Sequence, residues 1–258
     1  MPRDPSFPPA DAPWQDHVVD QDWDHFTPDD HAVWDLLFAR QVERVGPRLV
    51  SAFQRGIEVL RLGHPGIPQL DEINDRLLPA TGWRCVAVPG LIPDPAFFAM
   101  LEARVFPVGN FIRRRDQLDY LAEPDLFHDI FGHVPMLADP TVAQLMAEIG
   151  RLGVEVCAAG KGDLVARLYW HSIEFGLARE GGELRILGAG LASSFGEALV
   201  ALNSPDIERR AFSLGEAVRT PYRHDAFQPL YLVAEDLDDS LDAIRAATLR
   251  ELEVEAGT

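Results

Sequence analysis

Two histidines stand five residues apart in Pro124-Asp125-Leu126-Phe127-His128-Asp129-Ile130-Phe131-Gly132-His133-Val134-Pro135. On an ideal helix a step of five leaves the two side chains about 140° apart, so they cannot share a face as an i, i+4 zinc-protease pair does. Pro124 suits a first helical position, and Gly132 followed by Pro135 suits a stop. The spacing therefore predicts a short helix carrying His128, with His133 at its frayed end, where the chain bends the second ring back toward the first. Downstream, Glu174 lies among Ile173, Phe175 and Leu177. Two imidazoles and a carboxylate are the set that holds non-haem Fe(II) on one face and leaves the opposite positions open. A pair of capping or core histidines fits the same spacing equally well. A buried carboxylate must be paired or metal-bound, so Glu174 either joins an arginine such as Arg167 or Arg179, or meets the histidines around a metal.

Helical signals run along the rest of the chain. Thr27-Pro28-Asp29-Asp30 joins a cap, a first-turn proline and two acids, a good helix start. The stripe Val33, Trp34, Leu37, Phe38, Val42 and Val45 follows at helical spacing. Gly46-Pro47 breaks it, a second helix runs to about Gly63, and a third fits Gln69 to Leu77. Trp83 to Val88, between Gly82 and Pro89-Gly90, is predicted as a buried strand. Pro95 to Ala103 reads as helix, Val105 to Ile112 is mixed, and Asp139-Pro140 caps a long helix to about Ala159. Asp163 to Arg179 is predicted as one helix, apolar over most of its circumference and so buried. Glu183 to Leu187 follows a Gly-Gly turn as a strand, Ser193 to Leu202 is helical, Leu230 to Val233 a strand, and Asp236 to about Glu253 a terminal helix. The predicted class is mainly α with a few short β-strands. One domain covers 27–258, preceded by an extended, loosely packed, acidic and proline-rich N-terminal arm over 1–26.

The 258 residues suffice for a sizeable core. A net charge of -18 excludes nucleic acid as a partner and disfavours anionic membranes. No secretory leader or membrane-length apolar run is legible. Cys85 and Cys157 lack metal-type spacing, so a reduced cytoplasmic protein is expected, with a disulfide between them left open.

Three segments carry more when taken in order. They are Glu123-Pro124-Asp125 through His128 to Gly132-His133-Val134-Pro135, then Tyr169-Trp170 through Glu174-Phe175-Gly176-Leu177, then Gly188-Ala189-Gly190-Leu191 through Ser193-Ser194-Phe195-Gly196-Glu197. Together they closely resemble the pterin-dependent aromatic amino acid hydroxylases, the bacterial phenylalanine-specific branch above all, from about Trp14 to the terminal helix. The resemblance implies a single catalytic domain of that type, usually monomeric. It implies Fe(II) and tetrahydrobiopterin, or a related tetrahydropterin, as cofactors. L-Phenylalanine and O2 are the implied substrates, with L-tyrosine and 4a-hydroxytetrahydropterin formed by ferryl-oxo chemistry.

Carried over by position, the resemblance makes His128, His133 and Glu174 the iron ligands, with Ser193 orienting the first histidine. Arg113 matches the residue that grips the amino acid's carboxylate, a task suited to a planar bidentate donor. Arg114 and Arg115 are expected to form ordinary salt bridges. Trp170, Ser194 and Phe195 join Arg113 and Ser193 around the substrate. Phe97 matches the ring stacked on the pterin, with Gly90 and Leu91 offering backbone contacts and Asp129 and Tyr169 lining the same cleft. His224 departs from the pattern, because phenylalanine-specific relatives are apolar there and tyrosine-specific ones acidic. It is either near the substrate ring or a surface loop histidine. The rival functions are a tryptophan hydroxylase of the same family, a non-catalytic pterin- or amino-acid-binding regulator, and a zinc hydrolase. The last needs a positioned base that no motif here clearly offers.

Overall fold

The computed structural model describes residues 7–9, 11–119, 123–235 and 237–257. Helix α1 (Pro28–Arg44) starts where expected, because Thr27 and Asp30 form a reciprocal capping box. Helices α2 (Ser51–Leu60) and α3 (Leu70–Thr81) follow, then β1 (Arg84–Val88), α4 (Asp94–Glu102) and β2 (Val105–Gly109). The segment read as mixed is thus a strand, parallel to β1 and buried along its length. After the histidine segment come α5 (Val134–Leu137), α6 (Pro140–Ala158) and α7 (Gly162–Tyr169). Asp139 caps α6 through the N–H groups of Thr141 and Val142.

The helix predicted over 163–179 is shorter than expected. Its helical path ends at Glu174, and Leu177–Glu180 forms strand β3. Gly176 lets the chain double back, since a Cβ there would stand 2.2 Å from the Ser172 carbonyl oxygen. Strand β3 pairs antiparallel with β4 (Glu183–Ile186). The predicted helix over 193–202 is divided at Ser194 into α8 (Ala189–Ser193) and α9 (Phe195–Asn203). Strand β5 (Glu208–Ala211) and helix α10 (Leu214–Arg219) had no legible signal, and β6 (Leu230–Ala234) completes a sheet ordered β4-β3-β6-β5. The terminal helix is two, α11 (Leu237–Ala246) and α12 (Leu249–Ala256), because Thr248 and Glu251 form a second capping box. Its predicted first residue, Asp236, lies outside the described residues.

One large core holds Trp34, Phe53, Trp83, Phe127, Phe131 and Tyr231, all essentially inaccessible. The N-terminal arm is packed more firmly than its composition suggested. Trp14 is buried against Val86, Val88 and Met100, and Val19 bridges to Ala87, while residues 1–6 and 10 lie outside the described residues. One aromatic side chain buries enough apolar area to dock a polar segment. No helix among the described residues is long and apolar enough to cross a membrane.

Helices α4 and α6 touch through their backbones at Gly150, where a Cβ would stand 2.2 Å from the Glu102 nitrogen. Gly150→Ala gains about 1 kcal/mol in helix propensity, but forcing two helices apart costs about 1–3 kcal/mol or more. Net destabilisation is expected in urea unfolding. A midpoint at or above that of the parent would show that this contact yields.

Candidate active site

Both segments that carry the predicted ligands are π-turns, His128–His133 and Trp170–Glu174. The 140° objection assumes an α-helix. Widening the turn to i→i+5 bonding sets residues five apart nearly above one another. His133 is therefore no frayed end: it is buried, and its Nε2 lies 3.2 Å from that of His128. The second π-turn delivers Glu174, whose carboxylate stands 3.0 Å from His133 Nε2 and 3.6 Å from His128 Nε2. The ligand atoms of the three residues all fall within 4.8 Å of one another. The arginine alternatives for Glu174 are engaged elsewhere, Arg167 with Asp163 and Arg179 with Glu235.

The electrostatics suit a metal. Burial pushes the His128 imidazole down to about 4, against the attraction of Glu174, so it is neutral near pH 7. Its Nδ1 lies 2.9 Å from Ser193 Oγ, and that hydroxyl donates to the Ala189 carbonyl at 2.9 Å. With its one proton committed, Ser193 accepts from Nδ1–H, which leaves the His128 Nε2 lone pair for a metal. Burial penalises the charge on Glu174, but attraction to His133 and His128 and hydrogen bonds from His133 and the Gly190 backbone hold its carboxyl below the usual range.

Arg113 is buried and gripped by Asp125, with Nε and Nη2 donating to the two carboxylate oxygens at 2.9 and 2.8 Å. Asp125 also accepts the backbone N–H of Arg113 at 2.9 Å and that of His128 at 3.0 Å. Burial alone would raise the Asp125 carboxyl, but the Arg113 contacts and these N–H groups bring it below its usual value. This fully buried acid links Arg113 to the first histidine, and it was not among the predicted site residues. An acid three residues before His128 is a capping signal, and that signal could have found it. Arg114 and Arg115 form the expected salt bridges, with Asp116 and Asp29.

The three candidate ligand residues face a cleft of about 430 Å³. On one side Phe97 meets Tyr169 edge-on, with ring centroids 5.4 Å apart. Tyr169 Oη is buried with no hydrogen-bond partner. Asp129 Oδ2 accepts the Gly109 N–H at 2.7 Å, and burial, opposed by that bond, raises its carboxyl to about 7. Gly90 and Leu91 form the rim, where the Leu91 N–H donates to Glu123 Oε1 at 3.1 Å. On the other side Trp170 is stacked between Phe175 at 4.6 Å and Tyr222 at 4.3 Å. Ser194 and Phe195 line this end, with Arg40 lying 5.2 Å from the Phe195 ring. His224 is exposed at the mouth, its ring 4.9 Å from both Trp170 and Tyr222. All the predicted site residues thus border one cleft. Phe175 and Tyr222 were missed, because single aromatic residues read as core.

The family model described as biopterin-dependent aromatic amino acid hydroxylase matches residues 24–254. The chain belongs to this family. It is 45% identical over 244 residues to phenylalanine-4-hydroxylase of Caulobacter vibrioides, covering 95% of this chain and 81% of that protein. It is 46% identical to phenylalanine-4-hydroxylase of Pseudomonas aeruginosa, covering 83% and 80% of the two chains. The fold is also similar to the iron- and phenylalanine-bound crystal structure of phenylalanine hydroxylase from Chromobacterium violaceum. That match has a TM-score of 0.88 and 38% identity, covering 94% of this chain and 88% of that one.

Proposed function

We propose that this chain is a phenylalanine 4-monooxygenase that converts L-phenylalanine, O2 and a tetrahydropterin to L-tyrosine and a hydroxylated pterin at Fe(II). The observation that carries the reading is the convergence of His128, His133 and Glu174 within 4.8 Å on one wall of the cleft. Two imidazole nitrogens and one carboxylate, with no thiolate, form the donor set suited to non-haem iron. The unpartnered Tyr169 Oη fits a cleft completed by a polar, planar ligand. When bound, iron and tetrahydropterin supply the activation of O2 that no side chain can.

The chain's own residues bind, orient and exclude water. Arg113 holds the substrate carboxylate with the guanidinium edge that Asp125 leaves open, and Asp125 keeps that edge from turning. Trp170, Ser194 and Phe195 wall the aromatic ring. Phe97, Tyr169 and Asp129, with Gly90 and Leu91 beside them, would hold the pterin, and Ser193 fixes the His128 tautomer. Binding both reactants against one metal face is the entropic share of the catalysis. A monomeric state and a cytoplasmic location belong to the same proposal. The second is supported by Cys85 and Cys157, both free thiols.

Turnover of phenylalanine, tryptophan and tyrosine by the iron-loaded chain with a tetrahydropterin tests the reading, and kcat/KM should be highest for phenylalanine. A preference for tryptophan or tyrosine would overturn it. His224 touches Trp170 and Tyr222, so its imidazole bears on ring selectivity. His224→Val is expected to lower the ratio of para-substituted phenylalanine turnover to phenylalanine turnover. An unchanged ratio in His224→Val would remove His224 from substrate choice.

A further inference from the structure

The reaction leaves one buried carboxylate on the cleft unused. Glu197, in the first turn of α9, is buried and lines the cleft beside Gln228. Its Oε1 accepts the Gln228 backbone N–H at 3.0 Å and the Tyr231 hydroxyl at 2.8 Å. Tyr231 is fully buried in β6, so this end of the contact is fixed in the core. Gln228, itself 2% exposed, reaches back along its own loop. Its Oε1 accepts the Arg223 N–H at 3.1 Å, and its Nε2 donates to the carbonyls of Arg223 at 2.6 Å and Ala226 at 3.3 Å. Arg223 lies between Tyr222 and His224, two of the residues that meet the Trp170 ring.

We propose that Glu197 is a positioning residue that fixes the 222–228 loop, through Gln228 and the core hydroxyl of Tyr231, so that Tyr222 and His224 close the aromatic wall on Trp170. Another tie within the loop is the exposed Arg223–Asp225 ion pair, and exposed pairs hold geometry weakly. A buried acceptor that loses its place leaves a donor unmet, so the Glu197 contacts are costly to break. The role in catalysis rests on the reading of Trp170 as the substrate-ring wall. The clamp itself does not.

Two readouts on the iron-loaded chain separate these claims. In Glu197→Ala, amide hydrogen exchange in 222–228 should rise about tenfold or more, as expected when a hydrogen bond to a charged group is lost. Exchange in α6 should stay unchanged. KM for phenylalanine should rise about tenfold, with KM for the tetrahydropterin within about twofold of the parent. Glu197→Gln keeps an acceptor oxygen for both donors and should restore both readouts. Tyr231→Phe, which keeps the core filled, should move both in the same direction by less, and it serves if Glu197→Ala fails to fold. Parental exchange in both Glu197→Ala and Tyr231→Phe would overturn the clamp, as would a Glu197→Gln chain no better than Glu197→Ala. Raised exchange with parental KM for phenylalanine would leave the clamp standing and overturn its role in holding substrate.

Discussion

Replacing any one of His128, His133 and Glu174 with alanine is expected to abolish phenylalanine hydroxylation and strip iron from the chain. Three protein ligands are few, and each contributes an imidazole or carboxylate atom to a cluster spanning 4.8 Å. Changes one shell farther out already cost about 10- to 100-fold in metal affinity or activity, so loss of a ligand should exceed that range. The fold should survive, because Glu174 is a half-buried charge whose neighbours are the two histidines, and removing it relieves a desolvation cost. Circular dichroism would establish the fold, and metal analysis with tyrosine formation would report the loss. A variant that kept both full iron content and turnover would remove its residue from the ligand set.

The second large effect is expected at Arg113 and Asp125. Arg113→Ala removes the donor proposed for the substrate carboxylate, at about 2–4 kcal/mol, or roughly 30- to 1,000-fold in KM for phenylalanine. It also leaves Asp125, which is 0% exposed, as an uncompensated buried charge, a change that typically costs about 3–5 kcal/mol of stability. Asp125→Ala should weaken phenylalanine binding in the same direction, since Arg113 then loses its two charge-assisted hydrogen bonds and keeps only the longer one to the Leu118 carbonyl. Because Asp125 also accepts the His128 N–H, iron affinity should fall as well. Arg113→Ala should leave tetrahydropterin KM nearly unchanged. Equal rises in the two KM values would mean that Arg113 supports the whole cleft rather than the substrate carboxylate.

The parts of the fold legible in the sequence are those with local causes. Thr27, Pro28 and Asp30 announce α1 because cap, first-turn proline and acid act within four residues. Arg84–Val88 is legible as a strand because glycine and proline bound an apolar run. What was not legible depends on distant partners. A π-turn has the same residue types as an α-helix, so the approach of His133 to His128 was legible but the widened turn that produces it was not. Strand β5, with Arg209 and Arg210 in a mostly exposed ladder, has no apolar alternation to announce it. Leu177–Glu180 looked like the end of a helix because its strand identity comes from β4 and β6. At the site, the residues that matched a motif border the cleft. Phe175 and Tyr222 act through contacts with other side chains, which no single position reveals, whereas Asp125 left a local signal three residues before His128.

The most direct test of the account follows the oxygen atom. The chain loaded with Fe(II) is given phenylalanine, a tetrahydropterin and isotopically labelled dioxygen, and the tyrosine formed is analysed by mass spectrometry beside that from Glu174→Ala. The account predicts one labelled oxygen atom in the tyrosine made by the parent chain, formed only with both iron and pterin present, and no tyrosine from the variant. Tyrosine without the label, no tyrosine from the loaded parent, or equal tyrosine from Glu174→Ala would contradict it.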